Sequence, residues 1–371
     1  MATLHRLGET ALLRLITDTL DRAPAAALHH PAAVGPGDDA AVTHPAGALA
    51  STTDMLVAGQ DFLPAWLDLG ELPDALCPGA GLRRAAGTTP GGWYRLGVKA
   101  AAQNLADVFA MGARPHGLLV SLGLPGDTES ERIEEFYAGL LAECARAGTG
   151  VLGGDVGAAG ELIVSITALG DYPRSTPPLR RSGARPGDTV YLAGTVGCAA
   201  AGLDLLLAGV RPGEDPDLDL ALAVQLGPRP DYAAAARLPG WAHAGIDASD
   251  GMVGDLGRIA RASQVVIDLD PDAIDRLSRP LLPAARALRA DGAPALDLAR
   301  HWVLTGGEDH GFLVTAPTLP GTGANRAPVK WEAIGTVTRR AVEAGAPDAG
   351  GAPGIHLAGA AVADGAFRHF A

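Results

Sequence analysis

Apolar residues recur along the chain at two periods, and the stretches that hold each period set out its elements. Residues 4–22 carry Leu4, Leu7, Leu12, Leu15 and Leu20 at helical spacing, which predicts a helix. A Gly-Pro-Gly turn with Asp38 and Asp39 follows, ahead of the short apolar run 40–42. Residues 48–51 read as a buried strand whose end delivers Thr52, Thr53 and Asp54 to one edge, and 55–62 (MLVAGQDF) as another short apolar segment. Residues 64–95 hold no period and are rich in Pro, Gly and Ala. They read as a long surface excursion with room for one short helix.

The strongest helix is 96–112, LGVKAAAQNLADVFAMG. Val98, Ala101, Leu105, Val108 and Gly112 share an apolar face, and Lys99, Gln103 and Asp107 form a polar stripe beside it. The stripe reads either as a solvated face or, set among small residues, as a surface that a ligand can approach. A strand is expected over 117–124, an amphipathic helix with Tyr137 over 130–147, a short strand ending at Gly154 and Asp155 over 150–155, and an alternating strand over 161–170. The Pro-rich, basic stretch 171–188 marks a linker, which divides the chain into an N-terminal domain, 1–173, and a C-terminal one, 174–371.

The second half opens with a strand over 189–193, a glycine turn over 194–197 and a helix over 198–208. The segment 245–251 (GIDASDG) leads into a helix over 253–262; a strand over 265–269 and a short helix over 281–288 follow. The acidic turn GGEDHG is expected to have a strand on either side, 302–305 before it and FLVTA after it. A last strand is expected over 329–337, with loops at 317–328 and 341–354. Both halves mix helices and strands, so the fold class is α/β (α+β) in two domains.

Composition narrows the picture. The chain has 371 residues, 47% of them hydrophobic, enough for a large core, and its 50 glycines and 28 prolines fall between periodic segments rather than within them. A net charge of -13 with only two lysines, Lys99 and Lys330, leaves no basic stripe for nucleic acid. Cys77, Cys144 and Cys198 stand apart with no CxxC, so reduced thiols and no zinc site are expected. No apolar run reaches about 18 residues and no basic-then-apolar leader opens the chain. The expectation is a soluble, cytoplasmic protein without a membrane partner.

Acids collect in the turns: Asp38, Asp39, Asp54, Asp107, Asp155, Asp247, Asp250, Glu308 and Asp309 nearly all stand at the ends of short apolar elements. Turn chemistry accounts for each one singly. Together with Thr52 and Thr53 they form a set of oxygen donors suited to Mg²⁺, which shares carboxylates with polyphosphate oxygens. No GxxxxGK[ST] loop occurs, so any nucleotide is held by ions rather than by a phosphate loop.

The blocks GDDAAV, TTDMLVAG, LGVKAAAQNLADVFAMGA, FYAG, GGD, RSGARPGD, IDASDG and GGEDHGF, in this order, resemble the thiamine-monophosphate kinase family. That family belongs to the superfamily of aminoimidazole-ribonucleotide synthetase and selenophosphate synthetase. The resemblance covers nearly the whole chain apart from 64–95 and the late loops. It implies an N-terminal sheet that pairs with that of a second subunit in a homodimer, and a larger C-terminal α/β domain. ATP and Mg²⁺ would lie in the cleft between the domains, and a small acceptor would be phosphorylated. Carried over by motif, Asp39, Thr52, Thr53, Asp54, Asp107, Asp155, Asp247 and Asp250 are metal ligands, with Asp250 also catalytic. Tyr137, Gly154, Asp155, Arg181 and Ser249 match nucleotide contacts, and Glu308 and Phe367 match substrate contacts. For Tyr137 and Phe367 a purely structural reading, helix core and packed terminus, stands beside the functional one.

Three departures bear on the acceptor. The family's His-Phe is here Asp61-Phe62, the Ser before the helix Asp is Ala106, and Val156 and Gly157 follow GGD in place of a polar run. Asp61 beside a phosphate dianion is unfavourable by roughly 1 kcal/mol at a solvent-like dielectric and several at an interior one. The expectation is therefore a neutral or cationic acceptor, with Asp61 contacting it and orienting or deprotonating its nucleophile. The competing expectation turns Asp61 to solvent or pairs it with Arg83 or Arg84. Two other functions remain open at this point: an ATP-dependent cyclo-ligase or amide-activating enzyme, and a non-catalytic nucleotide-binding protein.

Overall fold

Glycine decides where the first helix breaks. In the computed structural model Leu4–Leu7 forms a single turn and α1, Glu9–Asp21, follows. Gly8 stands between them at φ 75°, so the one helix expected over 4–22 is two. The structure describes residues 3–22, 34–36, 40–69, 91–173, 176–289, 294–317, 331–339 and 352–362. Asp38, Asp39, Cys77, Arg83, Arg84 and Phe367 lie outside them.

The first half builds a four-stranded sheet. Strand β1 is Leu49–Val57, longer than expected: Thr52, Thr53 and Asp54 sit in mid-strand rather than at its end, because β-branched residues carry the ladder on. Helix α2 is Gly92–Ala110, β2 Arg114–Leu124, α3 Ser130–Ala147, β3 Val151–Ala158 and β4 Ile163–Asp171. The strand order is β1-β4-β2-β3, antiparallel except for the pair β2 and β3. In the stretch 64–95 the described part is one 3-10 turn, Pro64–Asp68, and the first residues of α2, which begins four residues before the expected start.

Helices α2 and α3 cross at a distance that only glycine permits. A Cβ on Gly97 would lie 2.0 Å from the carbonyl oxygen of Phe136, and one on Gly139 1.9 Å from that of Tyr94. Packing buries α2 on most sides, so the expected stripe is not a solvated face: Lys99 is 3% exposed, Gln103 and Asp107 are half-buried, and Asn104 beside them is 1% exposed. Such a helix needs partners for every polar side chain it carries.

The second half holds β5 (Thr189–Ala193), α4 (Cys198–Leu207), α5 (Pro216–Leu226), β6 (Ala244–Asp247), α6 (Met252–Ser263) and β7 (Val266–Leu269). It continues with α7 (Pro271–Ser278), α8 (Leu282–Leu288), α9 (Ala295–Thr305), β8 (Phe312–Ala316), β9 (Glu332–Thr338), β10 (Gly354–Leu357) and β11 (Ala360–Ala361). The seven strands run β11-β10-β7-β9-β5-β8-β6. Residues 302–305 are the end of helix α9, not a strand. Ala299, Trp302 and Val303 give it a buried face at helical spacing, which a four-residue window cannot distinguish from a strand.

Helices α5 and α7 were not expected at all, yet each carries a start signal: Asp215 and Asp270 accept the N–H of Asp217 and Asp272, with Pro at the first helical position. One apolar cluster fills the space between α1, α2, α3 and the small sheet and runs on to Phe312 and Trp331 at the larger one. A second packs α4, α5, α6 and α9 against the larger sheet. Among the described residues no helix is long and apolar enough to cross a membrane.

Gly97→Ala should lower stability by about 1–3 kcal/mol through overpacking at the α2–α3 crossing. Gly157→Ala, where a Cβ meets nothing within 4 Å, should stay within about 0.5 kcal/mol. Urea unfolding followed by circular dichroism compares the two, and equal stabilities would show that the crossing tolerates a methyl group.

Candidate active site

Strand alternation sends neighbouring residues of β1 to opposite faces. Thr52 and Asp54 face α2, where Thr52 Oγ1 donates to Asp107 Oδ2 at 2.7 Å. The edge N–H of Asp54 donates to Asn104 Oδ1 at 3.1 Å, so α2 closes β1's free edge at this point. Burial raises the Asp54 carboxyl above its ordinary range. Asp247, Asp250 and Asp61 push the same way, and His310 opposes them. Burial, with Asp247 and Asp54 adding to it, pushes Asp107 up to about 6, against the hydrogen bond from Thr52.

The facing wall comes from two loops locked together. Ser249 O accepts from Glu308 N at 2.8 Å and Ala248 O from His310 N at 3.0 Å. Glu308 and His310 hold left-handed φ values of 66° and 54°, which side chains adopt at a cost of about 1–2 kcal/mol. That backbone fans three consecutive side chains to three destinations. Glu308 takes hydrogen bonds from Lys99 Nζ at 3.0 Å and Gln225 Nε2 at 3.1 Å. Burial opposes its charge, but Lys99 and Gln225 hold it below the ordinary carboxylate range.

Asp309 caps α4, accepting from Cys198 N and Ala199 N at 3.1 Å, and burial pushes it up to about 6. His310 Nδ1 lies 3.0 Å from Asp247 Oδ2. Burial disfavours the charged imidazole, and the pairing with Asp247 outweighs it, raising the pKa. At the start of α6, Arg258 bridges Asp250 and Asp255. Asp255 also accepts the N–H of Asp250 at 3.0 Å, and burial together with Asp247 pushes it up to about 7.

The structure therefore draws Thr52, Asp54, Asp107, Asp247 and Asp250 to one place, and adds Lys99, Asn104, Asp255, Arg258 and His310, which the motif reading did not assign. Asn104 and His310 lie inside blocks already singled out, and Asp255 and Arg258 stand at i, i+3 just beyond IDASDG. Ser249 supplies its carbonyl to the locked loops, and Arg181 is exposed, its carbonyl accepting from Ser263 Oγ.

Thr53, Gly154 and Asp155 lie elsewhere. The rows Thr53–Thr167–Leu119–Gly153 and Met55–Ser165–Ser121–Asp155 place Thr53 and Asp155 on the open face of the small sheet. Asp155 stands on the strand farthest from β1, about 14 Å across three inter-strand spacings. A Cβ on Gly154 would lie 1.8 Å from Val120 O, so glycine is needed there for the strands to pair. Tyr137 is 3% exposed and packs edge-on against Phe136 in the core, as its structural reading expected.

Asp61 Oδ2 accepts Val57 N at 2.7 Å, which ties one of its two carboxylate oxygens into the turn that ends β1. It adds charge to the cluster from there.

Among the described residues no group of three or more His, Cys, Asp or Glu side chains converges as a ready-made metal cage. The donors nevertheless fit Mg²⁺. All are hard oxygens, and Asp54 and Asp107 are held up in pKa partly by neighbouring carboxylates, a repulsion that a cation relieves. Mg²⁺ needs only one or two protein carboxylates when phosphates and waters complete its shell.

Residues 37–172 match the family model for the N-terminal domain of AIR synthase related proteins. The thiamine-monophosphate kinase of Mycobacterium tuberculosis is 37% identical over 339 residues, 90% of this chain and 86% of that protein. Among solved structures, thiamine-monophosphate kinase from Stenotrophomonas maltophilia superposes with a TM-score of 0.71 at 28% identity, covering 94% of this chain and 97% of that one. AaThiL complexed with AMPPCP and TMP superposes with a TM-score of 0.67 at 26% identity, covering 100% and 99%. The match over most of both chains, in sequence and in fold, makes this chain a member of the thiamine-monophosphate kinase family.

Proposed function

We propose that this chain transfers the γ-phosphoryl group of ATP to thiamine monophosphate, giving thiamine diphosphate and ADP, with Mg²⁺ as its ion. The observation that carries the reading is the half-buried meeting of Asp54 and Asp107 with Asp247 and Asp250, contributed by both halves of the chain. Mg²⁺ bound there neutralises charge on the polyphosphate and fixes it for in-line displacement. Thr52 orients Asp107, Asn104 fixes β1 against α2, and His310 holds Asp247. The acceptor oxygen of a phosphate monoester is already anionic, so transfer needs no general base. Asp61 still adds its charge to the cluster, but the relatives that match most of the chain are thiamine-monophosphate kinases, which favours the family's acceptor over a neutral or cationic one. A cyclo-ligase is not favoured, since the relatives that match most of the chain are thiamine-monophosphate kinases.

The reading extends to assembly: a cytoplasmic homodimer of two-domain chains, divided at 173/174. Thr53 and Asp155 occupy a sheet face with exposed Leu49, Met55 and Leu119, a surface that a second copy would cover. Such cover would bring these oxygens into a closed site that one chain alone does not form.

Asp54→Asn should keep the wild-type circular dichroism spectrum and lose at least about 100-fold in turnover of thiamine monophosphate, with ATP binding abolished by EDTA in the wild type. Undiminished turnover in the variant would refute the reading. Acid should weaken the ion's hold. The folded chain binds the Asp107 proton more tightly than the unfolded chain does, so this carboxyl costs stability above about pH 6, and the cost fades below it. Calorimetry should find Mg²⁺ binding weakened between pH 7.5 and 5, while melting in EDTA shows this one group's cost shrinking. A pH-independent affinity would count against Asp107 as a ligand. Sedimentation should give twice the monomer mass, and Met55→Asp should shift the population towards monomer; a wild-type monomer at micromolar concentration would end the dimer proposal.

A further inference from the structure

The one guanidinium described at the acidic cluster stands on a residue that the motif assigns to a cation. Arg258 sits one turn beyond Asp255 on α6, so the two share a face. Its Nη1 bonds Asp255 and its Nη2 bonds Asp250. The two carboxylates differ in freedom. The Asp255 side chain is fully buried, and its second oxygen is committed to the backbone N–H of Asp250. The Asp250 side chain is 30% exposed and lies close enough to Asp54 to raise its pKa. Arg258 is thus anchored at one end and, at the other, holds one of the two oxygens of a partly exposed carboxylate that belongs to the cluster.

A guanidinium and a hydrated Mg²⁺ both seek carboxylate oxygens, and the same oxygen cannot satisfy both fully. Resting on the reading of Asp250 as a metal ligand, we infer that Arg258 is a positioning residue that holds Asp250 in the ion's place and must release it when Mg²⁺ arrives, remaining on Asp255. Its charge keeps Asp250 and Asp255 from repelling each other in the ion-free chain, and the bond it surrenders sets how much Mg²⁺ the site demands. A merely structural arginine would act in the other direction, since its loss would loosen α6 and weaken every ligand.

The experiment titrates MgCl₂ alone into the full chain by calorimetry, and follows melting in EDTA and in MgCl₂, for wild type, Arg258→Met and Arg258→Lys. Arg258→Met should bind Mg²⁺ several-fold to tenfold more tightly, melt lower in EDTA, and gain more from added Mg²⁺ than wild type. Arg258→Lys keeps the charge as a point contact without the bridging fork and should fall between the two. If the Met variant does not fold, the Lys variant carries the comparison. Unchanged or weaker Mg²⁺ binding in a folded variant overturns the inference alone. A wild-type chain that takes up no Mg²⁺ even with a non-hydrolysable ATP analogue present overturns the metal reading and the inference with it.

Discussion

Helix α2 is buried on nearly every side, and much of the site follows from that constraint. Burying polar side chains is costly unless they find partners, and three of those on α2 act as tethers. Lys99 reaches Glu308 and the carbonyl of Gln225, Asn104 reaches the edge of β1, and Asp107 reaches Thr52. These tethers run to both halves of the chain. The rotation of α2 about its own axis is therefore fixed, and with it the distance between the carboxylates of β1 and the loops beyond β6. The glycines of the α2–α3 crossing are what allow the helix to lie so deep.

Opposite the helix, the protein concentrates strain and like charge in one place. Two non-glycine residues in left-handed backbone and several carboxylates with raised pKa values are held by a folded frame that the two apolar clusters supply. Perturbed titration beside stored strain is common where proteins handle charged ligands. Here the compensating partners are internal: Lys99 covers Glu308, Arg258 bridges Asp250 and Asp255, and His310 pairs with Asp247.

Much of this could be read from the sequence. Helix 130–147 and strand 189–193 have the boundaries that periodicity gave, and Asp54 and Asp107 meet Asp247 and Asp250 from the two halves, while Asp155 stays apart. What escaped had physical causes. The apolar stretch 302–305 is too short to reveal its period, and the stripe on α2 left a solvated and a ligand-facing reading open because burial by a partner helix leaves no mark on local spacing. Asp61 looked free because a turn that consumes its own carboxylate has the same composition as one that does not. Arg258 was invisible for a similar reason: its role comes from two acids, one of which no motif marked.

The alternation along β1 has a consequence for how this chain can change. Thr52 and Asp54 serve the compartment against α2, while Thr53 and Met55 serve the open sheet face, so one strand is a wall shared by two rooms. Substituting a residue alters one room only. Inserting or deleting a single residue upstream within β1 would exchange the contents of both, turning Asp54 outward and Met55 towards Asp107. Length changes in this strand are therefore tolerable only by twos, whereas the surrounding turns are free of that parity.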